Sequence, residues 1–209
     1  MRVGSIVLSV GAALLLSATA ATAAAYEDGT VLIRLRALEV IPDVSSKVNI
    51  GGSIDVSDVA IPEIDITYFF SPHWAAELIA GTTHHGIHLK GINGIDQIGS
   101  AWLLPPTLTL QYHFDLGGVK PYVGTGVNYS LFYDKRGIPA LGKLKMTDQW
   151  GWAVQAGFDV PLTADGQYFL NFDVKKIFVS THASFAASAA TAKVDVDPWL
   201  LGAGVGIRF

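Results

Sequence analysis

The sequence predicts an all-β fold, an eight-stranded antiparallel transmembrane β-barrel, and three observations carry the prediction. Bulky apolar residues alternate with small or polar ones in eight separate segments, an apolar leader precedes them, and the chain ends on an aromatic residue, Phe209. Side chains alternate across a strand, so Trp199, Leu201, Ala203, Val205, Ile207 and Phe209 share one face, and Leu200, Gly202, Gly204, Gly206 and Arg208 share the other. Half of the residues are hydrophobic, yet after the leader no run approaches the roughly 20 apolar residues of a transmembrane helix. High hydrophobicity without a long run is the product of alternation.

The leader is Met1-Arg2-Val3, an apolar run from Ile6 to Leu16, and Ser17 to Ala23 in small residues. One positive charge, a short apolar core and a small-x-small site make a secretory signal peptide over residues 1–23, leaving 24–209 as the barrel. Cleavage removes Arg2 and takes the formal net charge from −4 to −5, which leaves nothing basic enough to hold nucleic acid. With no cysteine in the chain, an oxidising compartment offers it no disulfide, and stability must come from pairing and packing.

The eight strands follow in order, each about 9–12 residues, the length a tilted strand needs to cross a bilayer. The first sets Val31, Ile33, Leu35 and Ala37 outward against Leu32, Arg34, Arg36 and Leu38; the second sets Ile64, Ile66, Tyr68 and Phe70 against Glu63, Asp65 and Thr67. After Ser71-Pro72-His73 the third presents Trp74, Ala76, Leu78 and Ala80 outward, with Glu77 and Ile79 inward. The fourth sets Leu108, Leu110, Tyr112 and Phe114 against Thr107, Thr109, Gln111 and His113. The fifth, sixth and seventh repeat the pattern around Val123 to Leu131, Trp150 to Phe158 and Tyr168 to Val174, and the eighth is the terminal strand. The polar faces are rich in Gly, Ala, Thr and Asn, small enough to share a narrow lumen, which argues against a soluble sandwich.

Short turns join strands two to three, four to five and six to seven. The long connections, 39–60, 82–101, 133–148 and 180–195, are then extracellular loops, the first of them a β-hairpin extension or a flexible lid. Aromatic residues gather at both ends of the strands as interfacial belts.

A barrel of eight strands is just wide enough to be filled by its own side chains or to hold one small ligand. Inward charges, Arg34, Arg36, Glu63, Asp65, Glu77, Asp159, Asp173 and Arg208, collect toward the periplasmic half and read as a salt-bridged plug. Above them the inward set turns apolar, with Leu38, Ile79, Phe132, Ile177 and Leu200, closed beneath by Ile79 and Lys175: these positions form a pocket for a small hydrophobic molecule. Gly202, Gly204 and Gly206 are expected to leave room inside. Pro105 and Pro106 remove two backbone donors at the head of the fourth strand, a candidate lateral seam into the bilayer. His84, His85 and His88 lack the Cys or carboxylate that would complete a metal site and read as solvated loop residues. Ser100, His113 and Ser130 have no triad context, so no enzyme is expected, and no cofactor or metal.

Together, Trp102 to Leu108, Gln111 to Phe114, Pro121 to Tyr129, Asp148 to Gly151, Leu170 to Val174 and Val196 to Trp199 resemble the OmpW family of small outer-membrane barrels, which includes AlkL-type alkane-uptake proteins. The resemblance covers essentially the whole mature chain. It implies a hydrophobic channel for passive uptake of small apolar molecules in the outer membrane of a Gram-negative bacterium, and recognition of the aromatic terminal strand by barrel-assembly machinery. It also implies partners beyond outer-membrane lipids and small hydrophobic molecules, since family members serve as receptors for phage or bacteriocins through their loops. A structural or surface-receptor barrel with a closed lumen is the alternative. Where relatives carry a bulky residue, this chain has Lys175, so a more polar pocket floor is expected.

Overall fold

The computed structural model describes residues 26–49, 51–91, 97–189 and 191–209; the expected signal peptide lies outside the described residues. Among the described residues fifteen strands follow one another: β1 (Val31–Ile41), β2 (Ser45–Val48), β3 (Ser53–Val56), β4 (Val59–Phe69), β5 (Trp74–Ala80), β6 (Thr83–Lys90), β7 (Gln97–Leu104), β8 (Thr107–His113), β9 (Lys120–Gly137), β10 (Leu144–Met146), β11 (Gln149–Pro161), β12 (Tyr168–Phe178), β13 (Ser180–Phe185), β14 (Thr191–Asp195) and β15 (Trp199–Arg208). Eight of them, β1, β4, β5, β8, β9, β11, β12 and β15, form an antiparallel ring, and β15 returns to β1 with register running from Leu32↔Arg208 to Ile41↔Trp199. Closure matters because hydrocarbon cannot satisfy the backbone groups of an open edge.

The parity read from the sequence decides which face meets lipid. Leu35, Ile64, Ile66, Leu108, Val127 and Val205 are all exposed on the outer face, Leu35 at 57%, where only lipid can cover them. Their inward neighbours Arg34, Asp65, Thr67, Thr109 and Asn128 are buried. Rings pair at both ends of the lipid-facing band, with Trp74 against Tyr112 and Phe158 against Phe172 toward the short turns, and Tyr129 against Trp150 and Trp152 against Phe178 at the other end. The short turns use Gly117 and Gly166 at φ of 84° and 67°, a conformation that favours glycine.

The third and fourth barrel strands depart from expectation. β5 and β8 are only 7 residues each, because pairing lapses at Gly81-Thr82 and opposite them at Pro105-Pro106. Beyond the lapse the same two chain segments continue upward as β6 and β7, which pair from Thr83↔Leu103, and β7 joins the upper half of the 18-residue β9. The long connections are therefore largely strand. β3 extends the wall beside β6, while β10, β13, β14 and β2 form a second sheet above the ring. The segment 39–60 is neither a hairpin nor a loose lid: its two strands pair with different partners, β2 with β14 and β3 with β6, tied by Ile54 N–H donating to Ser46 Oγ at 2.8 Å.

The inward glycines do not leave a pore. A Cβ built at Gly204 would meet the Leu35 carbonyl oxygen at 2.1 Å, one at Gly206 the Phe169 ring at 2.2 Å, and one at Gly157 the Tyr122 hydroxyl at 2.4 Å. Their missing side chains admit a neighbouring strand or a large inward residue instead. Gly204→Ala must push β15 from β1 and is expected to destabilise by about 1–3 kcal/mol, whereas Gly118→Ala, whose Cβ meets nothing within 4 Å, should stay within about 0.5 kcal/mol. Urea unfolding of the protein in lipid vesicles measures both, and equal midpoints would contradict the packing role.

Candidate functional site

Two adjacent inward positions of β1 organise the lower lumen. Arg34 and Arg36 have side chains with no solvent exposure, and a buried charge persists only when paired. Arg34 Nη1 stands 3.0 Å from Asp65 Oδ1 and donates to Thr67 Oγ1 at 2.7 Å, and its Nη2 reaches Asp159 Oδ2 at 3.0 Å. Arg36 meets Glu63 at 2.8 Å, Asp65 at 2.7 Å and Glu77 at 3.2 Å, and Asp173 at 3.8 Å. The partners come from the neighbouring strand by register, since Arg34 faces Asp65 and Arg36 faces Glu63, and from β5, β12 and β11, two or three strands away around the ring. Polar side chains complete the set: Thr109 and Gln155 donate to Glu77 Oε2 at 3.1 and 2.7 Å, and Asn171 donates to Asp159 at 2.8 Å.

The plug predicted from the sequence thus comes together, with one exception and one addition. Arg208 is not in it. Its inward position is one step below Arg34's partner Gly206, beneath the Phe169 ring, and its guanidinium donates to the Asp165 carbonyl in the turn after β11. Lys175 is in it, with Nζ 3.6 Å from Asp173 Oδ1 and 3.8 Å from Glu63 Oε2. Under the ions lies an aromatic layer that parity alone did not reveal, because its first member precedes β1. Tyr26 packs on Phe69 at 4.3 Å between centroids, donates to Asp159 at 3.2 Å and lies under the Lys120 ammonium; His113 stacks on Tyr122 at 4.9 Å. Ions and rings together fill the lower lumen.

Above the ions a cavity of about 160 Å³ opens. All six residues proposed to line it do so: Leu38, Ile79, Phe132, Lys175, Ile177 and Leu200. Its lower wall is the cluster of Leu38, Val40, Ala153, Ile177, Val179 and Leu200. Its roof comes from the long connections. Ile54, Ile87, Leu89, Ile98, Leu144 and Val194, from β3, β6, β7, β10 and β14, form a second apolar cluster over the barrel mouth. The signal for it was the alternation in Ser53–Val56 and Thr191–Asp195, too short to read against the eight longer strands.

The histidines divide. His84 sits on the outer face against the Trp102 ring at 5.0 Å, but His85 is not solvated: it is buried in the cavity wall with Nδ1 2.9 Å from the Ser57 carbonyl. Burial pushes the His85 imidazole below its ordinary pKa, the Ser57 contact opposing and His84 adding to the shift. A neutral ring suits an apolar wall.

The proline pair interrupts that wall at cavity level. Pro105, Gly81 and Thr107 all line the cavity. On the β9 side the lapse is mended: Tyr129 N–H donates to the Pro106 carbonyl at 3.0 Å, and Asn128 Nδ2 donates to the Pro105 carbonyl at 3.1 Å and Thr107 Oγ1 at 2.8 Å. On the other side Pro105 has no N–H to give and Gly81 no side chain, and a Cβ there would meet Ile61 Cδ1 at 3.4 Å. Among the described residues no ladder joins upper β4 to β6 beyond Ile64↔Ala80, and β6 pairs instead with β7 and β3.

Comparison with known proteins accords with this architecture. The sequence model of the OmpW family matches residues 27–209. An uncharacterized outer-membrane protein of Sinorhizobium fredii is 46% identical over 183 residues, 85% of this chain and 79% of the relative. The dibenzothiophene metabolism operon protein PahQ of Pseudomonas aeruginosa is 30% identical over 194 residues, 88% of this chain and 90% of the relative. Among solved structures, the outer membrane protein OprG of Pseudomonas aeruginosa superposes with a TM-score of 0.81 at 30% identity, covering 88% of this chain and 97% of that one. A lipid-facing antiparallel ring with its first and last strands zipped, matched along the whole described barrel by the family, makes this chain an outer-membrane protein that belongs to the OmpW family.

Proposed function

We propose that the protein admits small hydrophobic molecules passively from the long-loop end into the apolar cavity and releases them sideways into the bilayer past Gly81, Pro105 and Pro106. One observation carries the reading: the cavity stands on a floor filled by ions and rings, yet its side wall is interrupted at the same level. A molecule in the cavity has hydrocarbon beside it and a filled lumen beneath it, so lateral release is the shorter route to an environment it prefers. The size supports a small ligand, since an apolar cavity of about 150 Å³ in another protein takes up benzene. The relative PahQ, named for a dibenzothiophene metabolism operon, supports apolar ring compounds as the class. No catalytic chemistry is needed, and the burial of His113 among rings gives it a packing role.

Ile79→Trp fills the floor of the cavity and is expected to cut uptake of a small aromatic hydrocarbon into intact cells by roughly tenfold, measured with radiolabelled naphthalene against cells lacking the protein. Uptake equal to wild type would assign the protein instead to the closed-barrel reading, a structural element or a surface receptor for phage or bacteriocin. Replacing Pro105 and Pro106 together by alanine returns ladder donors opposite Gly81. If release passes this point, uptake falls roughly two- to tenfold, the factor that one restored hydrogen bond of about 1 kcal/mol imposes. An unchanged rate in the same assay would move the exit elsewhere.

A further inference from the structure

We infer that the cavity selects an apolar molecule carrying one hydroxyl group, an alcohol or a phenol, and that Lys175 and Glu63 hold that hydroxyl. The inference rests on the uptake reading above and names its substrate class.

The floor of the cavity is not apolar throughout. Lys175 and Glu63 both line it, with side chains 1% and 3% exposed. An ammonium carries three donors and no acceptor. None of the three on Lys175 makes a hydrogen bond, since the oxygens of Asp173 and Glu63 that it pairs with stand at 3.6 and 3.8 Å. The pairing holds the charge in place without satisfying its donors. A buried donor of this kind is costly unless an acceptor arrives, and the space beside it is the cavity.

The charges around it decide which acceptor fits. Arg34, Arg36 and Lys175 face five carboxylates, those of Glu63, Asp65, Glu77, Asp159 and Asp173. A ligand carboxylate would bring a sixth negative group to an arrangement already rich in them. A ligand ammonium would meet Lys175 itself at the floor. A hydrocarbon leaves the Lys175 donors unmatched, and a carbonyl only accepts. A hydroxyl accepts from Lys175 and donates to the Glu63 carboxylate in one placement, with the apolar body of the molecule rising between Ile79, Ile177 and Leu200.

The test uses two nearly isosteric rings, toluene and phenol, which differ by a methyl for a hydroxyl. Full-length mature protein in lipid nanodiscs, labelled at isoleucine methyls, is titrated with each while the Ile79 and Ile177 resonances are followed, and protein-free nanodiscs correct for partition. Phenol should bind about tenfold more tightly than toluene in the wild-type protein, as one charge-assisted hydrogen bond allows. The ratio should fall to about one in Lys175→Met and recover in part in Lys175→Gln, whose amide still donates. Benzoate should bind more weakly than phenol. A wild-type ratio near one, a ratio unmoved by Lys175→Met, or benzoate binding tightest overturns the inference while leaving the uptake reading intact if toluene still shifts the cavity resonances. If neither ring shifts them, the uptake reading fails and the inference with it. The wild-type ratio decides even if a Lys175 variant does not fold.

Discussion

The interior of this barrel depends on the pairing of Arg34 and Arg36 with the five carboxylates that surround them. Two guanidiniums on successive inward positions of one strand cannot be left in a narrow lumen without partners, and removing a single partner from a buried pair costs on the order of 3–5 kcal/mol. The rest of the lower lumen follows. Glu63 and Asp65 sit directly across on β4, and Glu77, Asp173 and Asp159 come from β5, β12 and β11, which lie two or three strands from β1 around the closed ring. Gly204 and Gly202 lie beside β1 on β15, where the Arg36 side chain passes at 3.3 Å from the Cβ that Gly202 lacks. The network therefore binds five strands together and fixes their register, which the lipid-facing side chains, apolar along most of the band, cannot do.

The same network divides the lumen in two. Below it, Tyr26, Phe69, His113 and Tyr122 fill the barrel with rings. Above it the inward residues are largely aliphatic, and the strands of the long connections fold over them. The two apolar clusters face each other across the cavity: one lies on the ring strands, the other on the extension β3, β6 and β7 together with β10 and β14 of the second sheet. The wall fault arises because Pro105 and Pro106 cannot donate and β7–β8 must pass from pairing with the ring to pairing with its extension at that point.

The barrel strands, their facing and the members of the lower plug were legible in the sequence because period-two alternation is a local signal, and because an inward charge in a lipid-bathed barrel has nowhere to go but to another inward charge. All six cavity residues were legible for the same reason. What escaped came from pairings that no local pattern specifies. Alternation over Ser53–Val56 or Thr191–Asp195 says that a strand exists, not that the first joins β6 and the second β2. His85 looked like a loop residue because its burial depends on the Ser57 carbonyl, 28 positions earlier. Arg208 looked like a plug residue because parity gives the side of a strand but not the height of the layer: one step below Gly206, the Phe169 ring already occupies the lumen. The glycines of β15 misled in the same way, since an absent side chain reads as space until the neighbour that fills it is known.

On the proposed uptake reading, selectivity depends on where polarity ends inside the barrel. Were the ion network complete in itself, the cavity above would meet a satisfied floor and accept an apolar molecule by size alone. Lys175 breaks that completeness. It stands at the top of the network, opposite Gln155 on one side and Leu200 on the other, so its neighbours below are ions and its neighbours above are aliphatic. A cation at such a boundary is held by the carboxylates but faces the space they do not fill. The ion network that fills the lower lumen is thus also the one that gives the apolar cavity a polar end, and on the proposed uptake reading that end is the means of telling one hydrophobic molecule from another.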